Sequence, residues 1–128
     1  MKSVEEKDNM EIFKIVHFEA AHWLPFVPAT HPCRRMHGHG YKLEIHVTGP
    51  LDPQQGWVMD FGDIRQALQP LLEQLDHRCL NDIAGLENPT SENLARWIWQ
   101  RLKPVLPQLC RLVIRETETS GCVYDGRA

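Results

Sequence analysis

From Tyr41 to Thr48 apolar and polar residues alternate without interruption. Tyr41, Leu43, Ile45 and Val47 hold one parity; Lys42, Glu44, His46 and Thr48 hold the other. Successive side chains on a strand point to opposite faces, so a period of two demands a strand with one dry face. The other face must meet water or another subunit. A chain that contains this segment has to supply a sheet and something to cover its dry side. The stretch EIFKIVHFEAAHW, Glu11 to Trp23, is rich in β-branched and aromatic residues and reads as a partner strand. Between the two strands, Pro25, Pro28 and Pro32 deny regular structure to the loop from Leu24 to Cys33.

The cover comes later in the chain. After the turn signal GPLDPQQG, Asp60 offers an N-cap to a helix with Phe61, Ile64, Leu68, Leu71, Leu72 and Leu75 on one stripe. Pro70 falls inside that stripe and predicts a kink or two shorter segments. Thr90 can cap a second helix that runs through Leu94, Trp97, Ile98 and Leu102 and stops at Pro104. The end, CRLVIRETETSGCVYDG, reads as two strands joined by a turn around Thr119–Gly121. The order is β-β-α-α-β-β, which predicts an α+β domain: a four-stranded antiparallel sheet with both helices on one face. Such a sheet has two edges, and pairing with other copies of the chain would cover them.

Composition narrows the classes of function. The 128 residues suit a single domain spanning 1–128, with Met1 to about Asn9 read as a frayed leader. A net charge of −3 argues against a strong grip on nucleic acid or an anionic membrane. No run approaches the roughly 18 apolar residues of a membrane span, and MKSVEEKDNM lacks the apolar stretch of a signal peptide. Cys33, Cys79, Cys110 and Cys122 are scattered, which reads as reduced thiols rather than a disulfide framework. The expected compartment is the cytoplasm.

His37-Gly38-His39 is the most informative triplet. Residues i and i+2 of a strand share a face, so the two imidazoles project side by side, and Gly38 leaves room between them. His22 ends the preceding strand on the parity of Val16, Phe18 and Ala20. A hairpin of the two strands brings it opposite the pair. Three histidines with a fourth position open is a catalytic zinc arrangement. Spacing alone leaves the alternative of hydrogen-bonded histidines open, and that is the reading for His17, His31 and His46.

Three further positions are candidates. Cys33, in Pro32-Cys33-Arg34-Arg35, has two guanidinium neighbours that favour a thiolate; it could equally be an inert thiol or a fourth metal ligand. Asp76-His77 could be an acid–base pair or simply a helix end. Glu116 shares parity with Leu112 and Ile114, so it is either a carboxylate on an apolar face awaiting paired donors or a strand end turned to solvent.

FEAAH (Phe18–His22), CRRMHGH (Cys33–His39), LDH (Leu75–His77), NPTSENLARWIW (Asn88–Trp99) and RETETSGCVYDG (Arg115–Gly126) occur in the order seen in the pyruvoyltetrahydropterin synthase family, and the chain resembles it from about Phe13 to Gly126. The three-residue gap between Cys33 and His37, with WVMDF (Trp57–Phe61) and LNDIAGLENPTSE (Leu80–Glu92), resembles the 6-carboxy-5,6,7,8-tetrahydropterin synthase branch of queuosine biosynthesis.

The resemblance implies the tunnelling fold and a homo-oligomer, a hexamer built as a dimer of trimers, with active sites between subunits. It implies one Zn2+ per subunit on His22, His37 and His39, Cys33 as the proton-abstracting thiol, and Asp76 with His77 as a relay serving a neighbour's Cys33. Glu116 would anchor the pterin ring, with Thr90 and Ser91 beside it. The substrate implied is 7,8-dihydroneopterin triphosphate, giving 6-carboxytetrahydropterin, acetaldehyde and triphosphate. Arg34 or Arg35 could meet the triphosphate. Three other readings stand beside this one: the pyruvoyl product from the same site, a three-histidine zinc hydrolase, and a non-enzymatic module with zinc closed by Cys33.

Overall fold

The computed structural model describes residues 8–127. Strand β1 runs Asn9–His22 and β2 runs His37–Pro50, paired antiparallel along their whole length. Helix α1 (Phe61–Leu75), the two-residue strand β3 (Arg78–Cys79) and helix α2 (Ser91–Leu102) follow. Strands β4 (Leu109–Arg115) and β5 (Gly121–Tyr124) close the chain. The sheet order is β3-β1-β2-β4-β5, with β3 parallel to β1 and the other pairs antiparallel. The fold is α+β, as expected.

The alternation of β2 sets the layers. Tyr41, Leu43, Ile45 and Val47 are fully buried, and Val16, Phe18, Leu112 and Ile114 join them on the same face. Ile64, Leu68, Leu72 and Leu75 of α1 and Leu94, Ile98 and Leu102 of α2 pack onto that face in one cluster. Each such side chain contributes about 1.5–3 kcal/mol relative to leaving it in water. Both helices start where their caps place them. The Asp60 carboxylate accepts from the Gly62 N–H at 2.8 Å, and the Thr90 hydroxyl accepts from the Asn93 N–H at 3.1 Å.

Several expectations need correction. The sheet has five strands rather than four, and it is not wholly antiparallel, because Arg78–Cys79 joins the outer side of β1. Helix α1 runs unbroken through Pro70. Both Pro70 and Gln66, whose carbonyl the proline leaves without an N–H partner, are exposed, so water can bond that carbonyl while the buried stripe holds the helix. Phe61 lies off that stripe and is 51% exposed at the first helical position. Asn9 belongs to β1, and the Asp8 carbonyl accepts from the Leu51 N–H; the rest of the expected leader lies outside the described residues. Pro32–Arg34 forms a single 3-10 turn within the proline-rich loop. Helix α2 ends at Leu102, just short of Pro104.

Candidate metal centre

The register of the hairpin builds the site. His22 pairs with His37 and Ala20 with His39, so the three imidazoles emerge from the sheet's covered face at its open end. One nitrogen of each lies within 4.8 Å of the others. The rings meet edge to face, with centroids 4.5 Å apart for His22–His37, 5.1 Å for His22–His39 and 4.8 Å for His37–His39. Gly38, between His37 and His39 on β2, faces the other way and adds no bulk.

Ring orientation is fixed from behind. His22 Nδ1 lies 2.7 Å from the Pro89 carbonyl, and His37 Nδ1 lies 2.8 Å from the Arg35 carbonyl. A carbonyl only accepts, so each Nδ1 carries its hydrogen and Nε2 is the nitrogen turned toward the site, the arrangement metal-binding histidines use. His22 is 1% exposed, and its Nε2 has no hydrogen-bond partner among the described residues. Burial lowers the pKa of His22 and of His39, and their histidine neighbours add to it. Neutral rings are what a cation requires. A buried nitrogen without a partner among the described residues, a second ring turned by its own carbonyl and burial that favours the neutral form of His22 and His39 fit a divalent metal.

The remaining candidates fall around this centre. Glu116 sits one residue beyond β4, with Oε1 3.3 Å from His22 Nε2 and 3.6 Å from His39 Nε2. It faces the site rather than solvent. With the hydrogen on Nδ1, His22 Nε2 and the Glu116 carboxylate oxygen are both acceptors, so the contact makes no hydrogen bond and that nitrogen is left over. The Tyr41 hydroxyl, 3.3 Å from His22 Nδ1, has its pKa pushed up by burial and then by Glu116.

Cys33 is half-buried in the 3-10 turn and is not part of the three-histidine group. Its N–H donates to His31 Nδ1 at 3.0 Å, and its carbonyl accepts from Leu24 N–H at 2.8 Å, which closes the loop on itself. Arg34 donates to the Val27 carbonyl at 3.1 Å, so it braces the loop.

Asp76 and His77 follow α1. The Asp76 carboxylate accepts from the Glu19 N–H at 2.9 Å and lies 3.0 Å from His77 Nδ1. The Glu19 contact, then His77, holds its pKa below the usual carboxylate range. His77 takes a left-handed φ of 60° and donates its N–H to the Glu19 carbonyl, which throws its ring outward to 78% exposure. Thr90 spends its hydroxyl on the α2 cap, and Ser91 is buried beside it. The carbonyls of Pro89 and Arg35 were invisible to sequence reasoning, because a backbone acceptor carries no residue identity. The only hint was the cap motif next to Pro89.

A two-layer α+β fold with three histidines convergent at the sheet's end defines a metal-binding enzyme class. The sequence pattern of the 6-pyruvoyl tetrahydropterin synthase family matches residues 11–127, and the chain belongs to that family of enzymes. It is 40% identical to the 6-carboxy-5,6,7,8-tetrahydropterin synthase of Synechocystis, over 88% of this chain and 91% of that protein. It is 38% identical to the dihydroneopterin monophosphate aldolase of Pyrococcus furiosus, over 81% of this chain and 87% of that one. The structure of 6-pyruvoyl tetrahydropterin synthase from Caenorhabditis elegans superposes with a TM-score of 0.87 at 26% identity, covering 94% of this chain and 98% of that chain. Among the described residues no helix is long and apolar enough to cross a membrane.

Proposed function

We propose that this protein is a zinc-dependent 6-carboxy-5,6,7,8-tetrahydropterin synthase. It would convert 7,8-dihydroneopterin triphosphate to 6-carboxytetrahydropterin, acetaldehyde and triphosphate in cytoplasmic queuosine biosynthesis. The observation that carries the reading is the convergence of His22, His37 and His39 nitrogens within 4.8 Å, with His22 Nε2 buried and without a hydrogen-bond partner among the described residues. Similarity along nearly the whole chain to the Synechocystis enzyme supports the choice of reaction.

In this reading the three imidazoles hold Zn2+, which when bound supplies Lewis acidity to the substrate's side-chain hydroxyls. Glu116, at the mouth of the site, accepts two hydrogen bonds from the pyrimidine edge of the pterin and fixes the ring. Cys33 takes a proton from the substrate side chain, and His77, oriented by Asp76, carries protons to and from oxygen. His77 points away from its own fold, which supports a site shared between subunits of a homo-oligomer, read as a hexamer of two trimers. Cys33 stands outside the histidine group, which counts against a zinc closed by four protein ligands.

The test is product analysis. Zinc-loaded protein incubated with 7,8-dihydroneopterin triphosphate should release acetaldehyde and 6-carboxytetrahydropterin in equal amounts. A pyruvoyl product without acetaldehyde would move the assignment to the pyruvoyl enzymes. Turnover of the monophosphate alone would move it toward the aldolase relative.

A further inference from the structure

We infer that Asn81 and Asn93 are positioning residues for His22, one holding its backbone and the other the carbonyl behind its ring. This rests on the metal reading above. His22 is the last residue of β1, and on that strand's outer side β3 pairs only with Ala20 and Ala21. Beyond them no strand among the described residues continues the ladder. Asn81 supplies the missing rung. Its Oδ1 accepts from the Trp23 N–H at 3.0 Å, and its Nδ2 donates to the Trp23 carbonyl at 2.8 Å. A side-chain amide here does what a peptide unit does in a sheet, and it fixes the residue directly after the ligand.

The second hold acts on the ring. The Pro89 carbonyl that fixes His22 Nδ1 lies in a loop between α1 and α2, where proline offers no N–H to anchor it. Asn93 ties that loop on both sides of Pro89. Its Nδ2 donates to the Asn88 carbonyl at 2.8 Å, and its N–H donates to the Thr90 hydroxyl at 3.1 Å. Pro89 itself is buried. His22 is thereby held along the strand by one amide and about its ring axis by the other.

Aspartate is the sharpest substitution, because it keeps the shape and replaces each Nδ2 donor with an oxygen facing a carbonyl. The metal-free full-length chain and its Asn81→Asp and Asn93→Asp variants would be titrated with Zn2+ against a competing chelator. Co2+ absorption would report ligand geometry. Each variant should lose about 10–100-fold in affinity and show an altered Co2+ spectrum.

Gly126→Ala is the structural control, since its φ of +80° and a Cβ 2.3 Å from Trp99 strain the C-terminal segment away from the metal. It should lower Tm and leave affinity and spectrum unchanged. If an aspartate variant does not fold, Asn81→Ala and Asn93→Ala remove the donors without repulsion and should still weaken binding. Variants that lose Tm as the control does, with wild-type affinity and spectrum, overturn the inference. Wild-type protein that binds neither ion overturns the metal reading itself.

Discussion

His22 and His46 lie on adjacent strands of one hairpin, and their surroundings differ in kind. His22 has a carbonyl behind Nδ1 and, among the described residues, nothing bonded to Nε2. His46 has a carboxylate on each side: Glu11 Oε2 is 2.8 Å from Nδ1, and Glu44 Oε1 is 3.0 Å from Nε2. Arg111 donates to Glu11 through two nitrogens at 3.0 Å, and Arg115 approaches Glu44 at 3.8 Å, so His46 sits mid-chain in a five-residue ion network on the sheet's uncovered face. Phe13 stacks on its ring. A histidine is ready for a metal when one nitrogen is committed to a neutral acceptor and the other is free. With a carboxylate on both nitrogens it serves as a link in a polar network instead.

The largest effect should separate these two directly. His22→Ala should abolish metal retention and turnover, measured by metal analysis after gel filtration, whereas His46→Ala should keep the full complement. Equal loss from both would erase the distinction. Next, Cys33→Ala should keep the metal and the Co2+ spectrum but lose about 10²–10⁴-fold in kcat, the contribution of a positioned acid–base group. Loss of the metal along with activity would make Cys33 a ligand.

Acid should reach the two regions at different pH. His22 and His39 have pKa values below the ordinary 6.5, chiefly because they are buried, so the unfolded chain takes up protons first. The metal-free protein should lose stability as pH falls below 6.5. Glu11 lies below its ordinary 4.5, chiefly through its bond to Arg111, so the stability it contributes is lost only as pH falls below 4.5. Melting curves of metal-free protein between pH 8 and 2 should show both declines, and Glu11→Gln should flatten only the lower one. The smallest effect belongs to Arg111→Ala at neutral pH, which should leave metal affinity unchanged and lower Tm by no more than about 5 °C, as exposed ion pairs contribute little.

How much of this could be read in the sequence depended on whether the signal was local. The β2 alternation, the Asp60 and Thr90 caps and the parity of His22 with Phe18 and Ala20 are local patterns, and the structure follows them. Strand β3 has two residues and therefore no period. It exists because Asp76 and His77 hook the Glu19 backbone and lay the next residues along β1, a contact across 57 positions. Pro70 does not split the helix, because the local breaking rule lost to burial of the stripe beside it. The histidine cluster and the lone His46 could be sorted only in part. The HGH triplet announced itself, but what ties His46 into a network is Glu11 and Arg111 on neighbouring strands, 100 positions apart from each other.

The loop that caps α2 also presents the Pro89 carbonyl to His22. Helix initiation and ligand orientation thus share one short piece of backbone, and whatever occupies the histidine site bears on the helix as well. A cation bound there acts on the fold by mass action, and its footprint in amide hydrogen exchange should reach past the strands into the first turn of α2. Slower exchange at Asn93 and Leu94 would register an ion those residues never touch.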